Sequence, residues 1–539
     1  MFWKDIMNFK LILFFSIIML ILSAGAVSSA DVNQIDVVDS SEFEDESLDV
    51  DDSGSDLSGS GSENDDGEMP KMELPRDYDK KSDDNSSDNG SDRQENKDTV
   101  PDVICEASNL DGLNLYVSVM DNSGTDSGEA LRERVAVMYQ TDIPKVHSNT
   151  LVLKNNIETI DKKLIIKITS GKDITIDGQG NTIDLKVSSK HDHYFVVKSG
   201  NIIFKNINFI NGYNKDGDNG GAISFEGNAK GRIVNCTFEN CWAEEHGGAI
   251  ADRTGNKLTV INSSFIGNFA GDDGGAIHSK GSLYLDGCTF ENNNASDCSG
   301  AVDVEGSTAE ICKCHFIRNH AKDDGGAIWI KGNLILNNSY FMGNVAEDCR
   351  GAVDVEGSTA EIYPCAFFNN SANDDGGAIW ANGNLIVNSS SFMGNVADDS
   401  AGTIYAGKDL SLINFTVYPN IIKDDKPIVG KGKVKIIDSS LPGNLYCLQL
   451  LIDSAKEGST LNLNSNYATI KDKLIIIINK SIVIDGHGHT IDLAGDSKHD
   501  HYFKVTDGSV TFKNIRFING FNKDDDKGGA IFFKSLKKM

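Results

Sequence analysis

The chain has 539 residues, with 50 Lys and Arg against 80 Asp and Glu, a formal charge of −30. A chain this acidic is repelled by nucleic acid and by anionic membrane, which sets both aside as partners. With 53 Gly and only 8 Pro, and Asn, Asp, Ser and Ile recurring throughout, it reads as many short strands joined by turns, not as a helical bundle, a coiled coil or a multi-pass membrane protein.

Residues 1–30 read as a secretory signal peptide. Lys4 and Lys10 flank a short polar start, Leu11–Leu22 is almost wholly apolar, and Ser28-Ser29-Ala30 offers a small-residue cleavage site before Asp31. The alternative is a retained anchor, but Leu11–Val27 supplies only 17 residues, the lower limit for spanning. No later stretch is long and apolar enough to cross a bilayer, so the expected location is secreted or at the cell surface. Residues 31–104 form an acidic Ser/Asp-rich spacer. Positions 31–100 alone carry 24 Asp and Glu against 6 Lys and Arg. Such a segment buries too little apolar area to offset its ordering entropy and is expected to be a disordered, self-repelling tether. Residues 105–150 are read as a lead-in that caps the N-terminal end of the repeats.

From residue 151 the chain is repetitive. A small-residue signature recurs at Gly221-Ala222-Ile223, Gly248-Ala249-Ile250, Gly275-Ala276-Ile277, Gly300-Ala301-Val302, Gly326-Ala327-Ile328, Gly351-Ala352-Val353, Gly377-Ala378-Ile379 and Gly402-Thr403-Ile404, in steps of 25 to 27 residues. Ten residues before each Gly from the second onward stands a Phe: Phe238, Phe265, Phe290, Phe316, Phe341, Phe367 and Phe392. In the last six units an Asn follows three residues later, from Asn268 to Asn395. The Phe-to-Gly arc is constant, so all length variation falls on the other side of the unit.

A helical-hairpin repeat needs a longer unit and a 3.6-residue period, whereas these units alternate with period two: Leu334 and Leu336, then Ser339 and Phe341, share one face. The spacing predicts an all-β chain, a parallel β-helix over 151–418 in which each coil is one repeat. Stacked coils lie about 4.8 Å apart, the ordinary spacing of neighbouring strands, so the Phe, the Ile/Val and the Cys-or-Ser columns become interior stacks. The constant Gly is expected to supply backbone freedom at a turn. Residues 419–458 read as a linker, with apolar spacing over Leu445–Ala455 that suits a short capping helix. Residues 459–539 open a second, truncated module, because Ile176–Leu185 recurs at Ile484–Leu493, offset by 308.

The Gly-Gly-Ala-Ile and Phe-x-x-Asn pair resembles the repeat of polymorphic outer-membrane proteins. The Ile-Asp-Gly-x-Gly-x-Thr-Ile-Asp module is similar to that of adhesin-like surface proteins of methanogenic archaea. These resemblances imply a right-handed parallel β-helix exposed at the cell surface and engaged in adhesion. The expected partners are glycans or proteins of other cells, and no cofactor is expected. Phe238 departs from the pattern, with Cys241 where Asn is expected, and Ser299, Arg350 and Ala401 replace the first Gly of the pair. Parallel β-helices also carry polysaccharide lyases and glycoside hydrolases, which makes a carbohydrate-active enzyme the rival class. A hydrolase needs two carboxylates at a set separation. Acidic residues are too common here to select a pair, and no Arg or Lys is expected at one singular coil among them, so no catalytic residue is assigned.

Two columns carry the candidate sites. Three residues before each repeat Gly the residue is Asp or Glu, including Asp272, Asp297, Asp323, Asp348, Asp374 and Asp399. Such residues form turns by bonding their own backbone. Stacked at the coil pitch they also make a cation ladder that calcium would fill. Three residues after each Gly lies a column expected to face outward: Ser224, Ala251, His278, Asp303, Trp329, Asp354, Trp380 and Tyr405. Aromatic faces beside carboxylates suit sugar binding, which selects Trp329, Trp380, Tyr405, Asp303 and Asp354 as ligand contacts. Cys236, Cys288, Cys314 and Cys365 share the column that Ser263, Ser339 and Ser390 fill elsewhere, which suits small interior residues better than zinc ligands. His191-x-His193 and its repeat His499-x-His501 are read as loop-to-strand junctions.

Overall fold

A computed structural model describes residues 102–534, apart from 142, 144–148, 186–191, 217–218, 349, 400, 418–425, 469–473, 494–500 and 523–527. The signal segment, nearly all of the acidic spacer, and Cys349, His191 and His499 lie outside the described residues. From Val103 to Ile437 the chain winds as a parallel β-helix along which run 13-stranded, 10-stranded and 19-stranded sheets. One coil shows how: Leu283–Asp286 joins the first sheet and Thr289–Glu291 the second, while Asn294–Ala295 and Val302–Val304 join the third.

The register is the sequence repeat itself. Phe238, Phe265, Phe290, Phe316, Phe341, Phe367 and Phe392 pair residue for residue in parallel strands. Their rings stack at centroid separations of 4.8–4.9 Å and within 7° of parallel. Backbone spacing dictates that distance, because identical side chains on strands one hydrogen bond apart repeat at the strand pitch. The stack extends beyond the repeats to Phe209 and Phe415. Each of the seven repeat Phe side chains is wholly buried, and such burial contributes about 1.5–3 kcal/mol per ring.

The Asn column is a second interior ladder. In each coil from Asn268 to Asn370, the backbone N–H and the side-chain amide both donate to the Oδ1 of the next Asn, at 2.8–3.1 Å. The same amide also donates to a Phe carbonyl of the preceding coil, as Asn293 does to Phe265 at 3.0 Å. These buried amides are therefore satisfied by one another, which a lone buried Asn would not be. Cys241, at the head of the column, supplies only its N–H, to Asn268 Oδ1 at 2.9 Å.

The two glycines of the signature have different reasons. The constant Gly is needed for close approach: a Cβ on Gly275 would collide with the carbonyl oxygen of Gly300 in the next coil, and Gly248 and Gly300 repeat the contact. It is the preceding residue that adopts the left-handed region, at φ 67° in Gly274 and 63° in Gly325. Ser299 and Ala401 take the same conformation at φ 61° and 54°, so this position tolerates a Cβ at a cost of about 1 kcal/mol. The constant Gly thus serves close approach in place of the expected turn freedom.

Helices close the ends. Helix α1 (Leu110–Asp121) is capped by Asn109, whose side chain accepts from Gly112 N–H, and α2 (Asp126–Tyr139) is capped likewise by Thr125. Leu110, Leu113, Tyr116, Val117 and Met120 bury one face of α1 against the first coil. At its end the buried Asp121 carboxylate accepts from the N–H groups of Thr169 and Ser170. At the other end, strands Ile428–Gly430 and Val434–Ile437 continue the solenoid into the stretch expected as linker. Helix α3 (Leu445–Ser454) comes next. It gives Cys447 and Leu450 to the first core, and Leu445, Leu448 and Ile452 to the core of the second module. Among the described residues no helix is long and apolar enough to cross a membrane.

Candidate functional site on the loop edge

Between each two-residue strand and the next Gly-Ala a short loop swings outward, and these loops stack into an edge. The Asp column lies on it. Asp272 N–H donates to the Glu245 carbonyl at 2.9 Å, Asp297 N–H to Asp272 and Asp323 N–H to Asp297 at 3.1 Å. Its members therefore succeed one another at the coil pitch. Burial first, and neighbouring carboxylates second, raise the pKa values of Asp272, Asp297 and Asp374. Asp348 is exposed beside a shallow groove that Asp323 and Glu347 also line.

One residue later runs a column that sequence reasoning passed over: His246, Asp273, Cys298, Asp324 and Asp375. Among the described residues the two columns bring four sets of three donor atoms within 4.8 Å of one another: His246, Asp272 and Asp273; Asp273, Asp297 and Cys298; Cys298, Asp323 and Asp324; and Asp374, Asp375 and Asp399. The signal was present in the sequence as a recurring polar residue before the Gly pair, but its chemical variety hid it.

The column three residues after each Gly leaves the coil outward yet is covered by the loops. His278 and Asp354 are wholly buried, and Asp303 is 2% exposed. Asp303 lies under the turn at Gly274, where an added Cβ would approach its Cβ to 3.2 Å. This corrects the expectation of accessible carboxylates at Asp303 and Asp354, because strand alternation sets direction but not what folds over it. Burial holds both carboxyls well above the usual carboxylate range. Trp329, Trp380 and Tyr405 are half-buried. The Arg350 guanidinium sits 3.8 Å over the Trp380 ring, and Trp380 is stacked on Tyr405 at 5.6 Å and 4°. The rings of Trp380 and Tyr405 therefore lie face to face along the axis and offer edges to a ligand, whereas Trp329 is flanked in register by Asp303 and Asp354.

Arg350 also overturns the expectation that no single coil holds a basic residue among the acids. It replaces the first Gly of its pair, and its Nη1 lies 3.1 Å from Asp354 Oδ2 and 3.6 Å from Asp324 Oδ2, with Glu356 also paired to it. Burial raises the Asp324 carboxyl to about 6, against the pull of Arg350.

Three coils earlier a histidine pair fills the corresponding space. His278 Nε2 lies 3.1 Å from Glu305 Oε1 and 3.5 Å from Asp303 Oδ1. That hydrogen bond lowers Glu305 to about 2, while burial lowers the His278 pKa. The His246 ring stacks on His278 at 4.6 Å.

The remaining candidates are structural. His193 is buried, with Nε2 2.7 Å from the Lys162 carbonyl. The cysteines of the interior column are free and buried. They share one hydrogen-bonded ladder with serines: Cys288 N–H donates to Cys314 Sγ at 3.4 Å, Cys314 N–H to Ser339 Oγ at 3.1 Å, and Ser339 N–H to Cys365 Sγ at 3.4 Å. A further aromatic stripe of half-buried Tyr213, Trp242 and Phe269 stacks on the outer surface of the early coils.

This arrangement defines a repetitive right-handed parallel β-helix with a polar loop edge. Residues 172–341 match the family model described as a right handed beta helix region. Residues 364–382, one Phe-to-Gly arc with its flanks, match the Chlamydia polymorphic membrane protein repeat. The chain is thus similar to polymorphic-membrane-protein repeat proteins. No curated protein and no solved structure matches it.

Proposed function

We propose that the chain is an exported, adhesin-like surface protein that contacts glycans or proteins of other cells through the loop edge of its solenoid. The observation that carries this reading is the constancy of the coil beneath a variable edge. Phe, Asn and Gly repeat in register, while loop and outward positions change from coil to coil. Interior residues serve the scaffold, and function falls to what varies outside it. The similarity to polymorphic membrane protein repeats supports surface display. So does the resemblance of the Ile-Asp-Gly module to adhesin-like proteins of methanogenic archaea. The contacts proposed are the exposed edges of Trp329, Trp380 and Tyr405. The test is binding of the full chain to a glycan panel and to whole cells, with and without Ala at these three positions. Saturable binding that the triple variant loses, at an unchanged unfolding midpoint, supports the reading. Binding that the triple variant keeps excludes this site, and no binding to glycans, proteins or cells excludes adhesion.

A second reading, a polysaccharide lyase or glycoside hydrolase, is favoured by one observation: Asp324, raised to about 6, lies beside Arg350 in a cluster of acids. Reducing-sugar and unsaturated-product assays on uronate and neutral polysaccharides decide it. Activity that Asp324→Asn abolishes would replace the adhesin reading.

A further inference from the structure

We propose that His246, Asp272 and Asp273, at the start of the loop edge, form a site for a borderline divalent transition ion of the zinc type. This inference does not depend on the adhesion reading. His246 Nδ1 lies 3.4 Å from Asp273 Oδ2 and 3.6 Å from Asp272 Oδ2. The atom is buried and forms ion pairs with both carboxylates, but neither contact has the geometry of a good hydrogen bond. Those separations are poor for hydrogen bonds but fit donors that share an ion. With bonds of about 2.0–2.2 Å, the donors of a tetrahedral zinc stand about 3.4 Å apart. Calcium and magnesium are held by oxygen alone. An imidazole in the donor set moves the preference toward zinc and its neighbours.

The floor of the site supplies a second observation. His278 has a wholly buried side chain, stacks on the His246 ring at 4.6 Å, and has Nδ1 without a hydrogen-bond partner. Asp303, beneath the turn that carries Asp273, pairs its Oδ1 with His278 Nε2 at 3.5 Å without a hydrogen bond. Clustered carboxylates above buried polar groups that lack hydrogen bonds are costly, and a cation among those carboxylates offsets their mutual repulsion. The next rung extends the same chemistry, since Cys298 and Asp297 share Asp273 in a second group of three donors.

The test loads the full chain, stripped by chelator, with zinc, calcium or cobalt, then measures metal retained after desalting and the unfolding midpoint. Zinc retained at one or more per chain, with a midpoint rise that His246→Asn diminishes, is expected. Visible absorption of a low-coordinate cobalt ion with nitrogen ligation is expected from the wild-type chain. This readout needs no variant to fold. His246→Asn should weaken zinc by about tenfold or more, and Asp273→Asn should do likewise. Lys435→Ala, exposed on a remote coil and outside every donor group, should leave zinc binding unchanged. Zinc uptake unaltered in both His246→Asn and Asp273→Asn would overturn the site. So would a cobalt spectrum of purely oxygen-ligated form, or a calcium response that His246→Asn weakens as much as that of zinc.

Discussion

A single residue, Asp324, sets a measurable pH dependence. Its folded-state pKa is about 6 against an ordinary 3.8. Between those values the folded chain holds a proton that the unfolded chain has released, so stability falls as pH rises through this window. Asp303 and Asp354, also raised, act in the same direction. Glu305, lowered to about 2, acts oppositely, but its loss occurs only as pH falls below the ordinary range. The unfolding midpoint should therefore be higher near pH 5 than near pH 7, and Asp324→Asn should flatten the slope. A slope undiminished in that variant would place the titrating group elsewhere. None of this was legible from residue order. Asp324 is one of many acids in the sequence, and only the loop that buries it beside Arg350 distinguishes it. The outward column fails for a related reason: alternation assigned Asp303 and Asp354 correctly to the outer face, but the turn at Gly274 belongs to another coil.

At the scale of the element, a coil is stabilised chiefly by contact with the coils above and below. Phe316 lies between Phe290 and Phe341, at 4.8 Å from each ring. Phe316→Ala removes a wholly buried ring and should cost about 3–5 kcal/mol. Hydrogen exchange should quicken in the adjacent coils and fade beyond them, since a solenoid couples nearest neighbours. Uniform loss of protection along the whole chain would contradict that coupling, and unchanged local protection would contradict the stack. Here the sequence was most informative. A column that repeats at constant spacing in sequence must repeat in space once the coil closes, so Phe and Gly could be placed without coordinates. The Asn column was equally visible, yet its bonding was not, because it depends on both amide groups of one coil meeting one oxygen of the next. Helices α1 and α2 have no repeat to announce them, and their lead-in was read only as a cap.

Across the whole molecule, the loop edge concentrates negative charge along one side. At its far end Asp374, Asp375 and Asp399 bring only oxygen donors together, the preference of calcium. Calcium is the cation proposed for the column Asp272, Asp297, Asp323, Asp348, Asp374 and Asp399 where oxygen alone is offered. Millimolar calcium should raise the unfolding midpoint more than sodium at equal ionic strength, because screening acts through either salt and specific binding adds by mass action. Asp374→Asn with Asp399→Asn should remove most of that excess. A calcium response matched by sodium would leave the column to turn chemistry. Zinc at the opposite end is separable, since it requires His246.

The direction of the hydrogen bonds has a mechanical consequence. The bonds between coils run along the solenoid axis, while the backbone circles it. Tension applied to the two ends of the chain therefore falls on the outermost coil, whose bonds break in succession and not all at once. Each coil that peels away releases 25 to 27 residues, a contour of roughly 80–100 Å, while the coils behind it keep their stacked rings. Under load such a protein lengthens in steps at modest force and can rewind when slack returns.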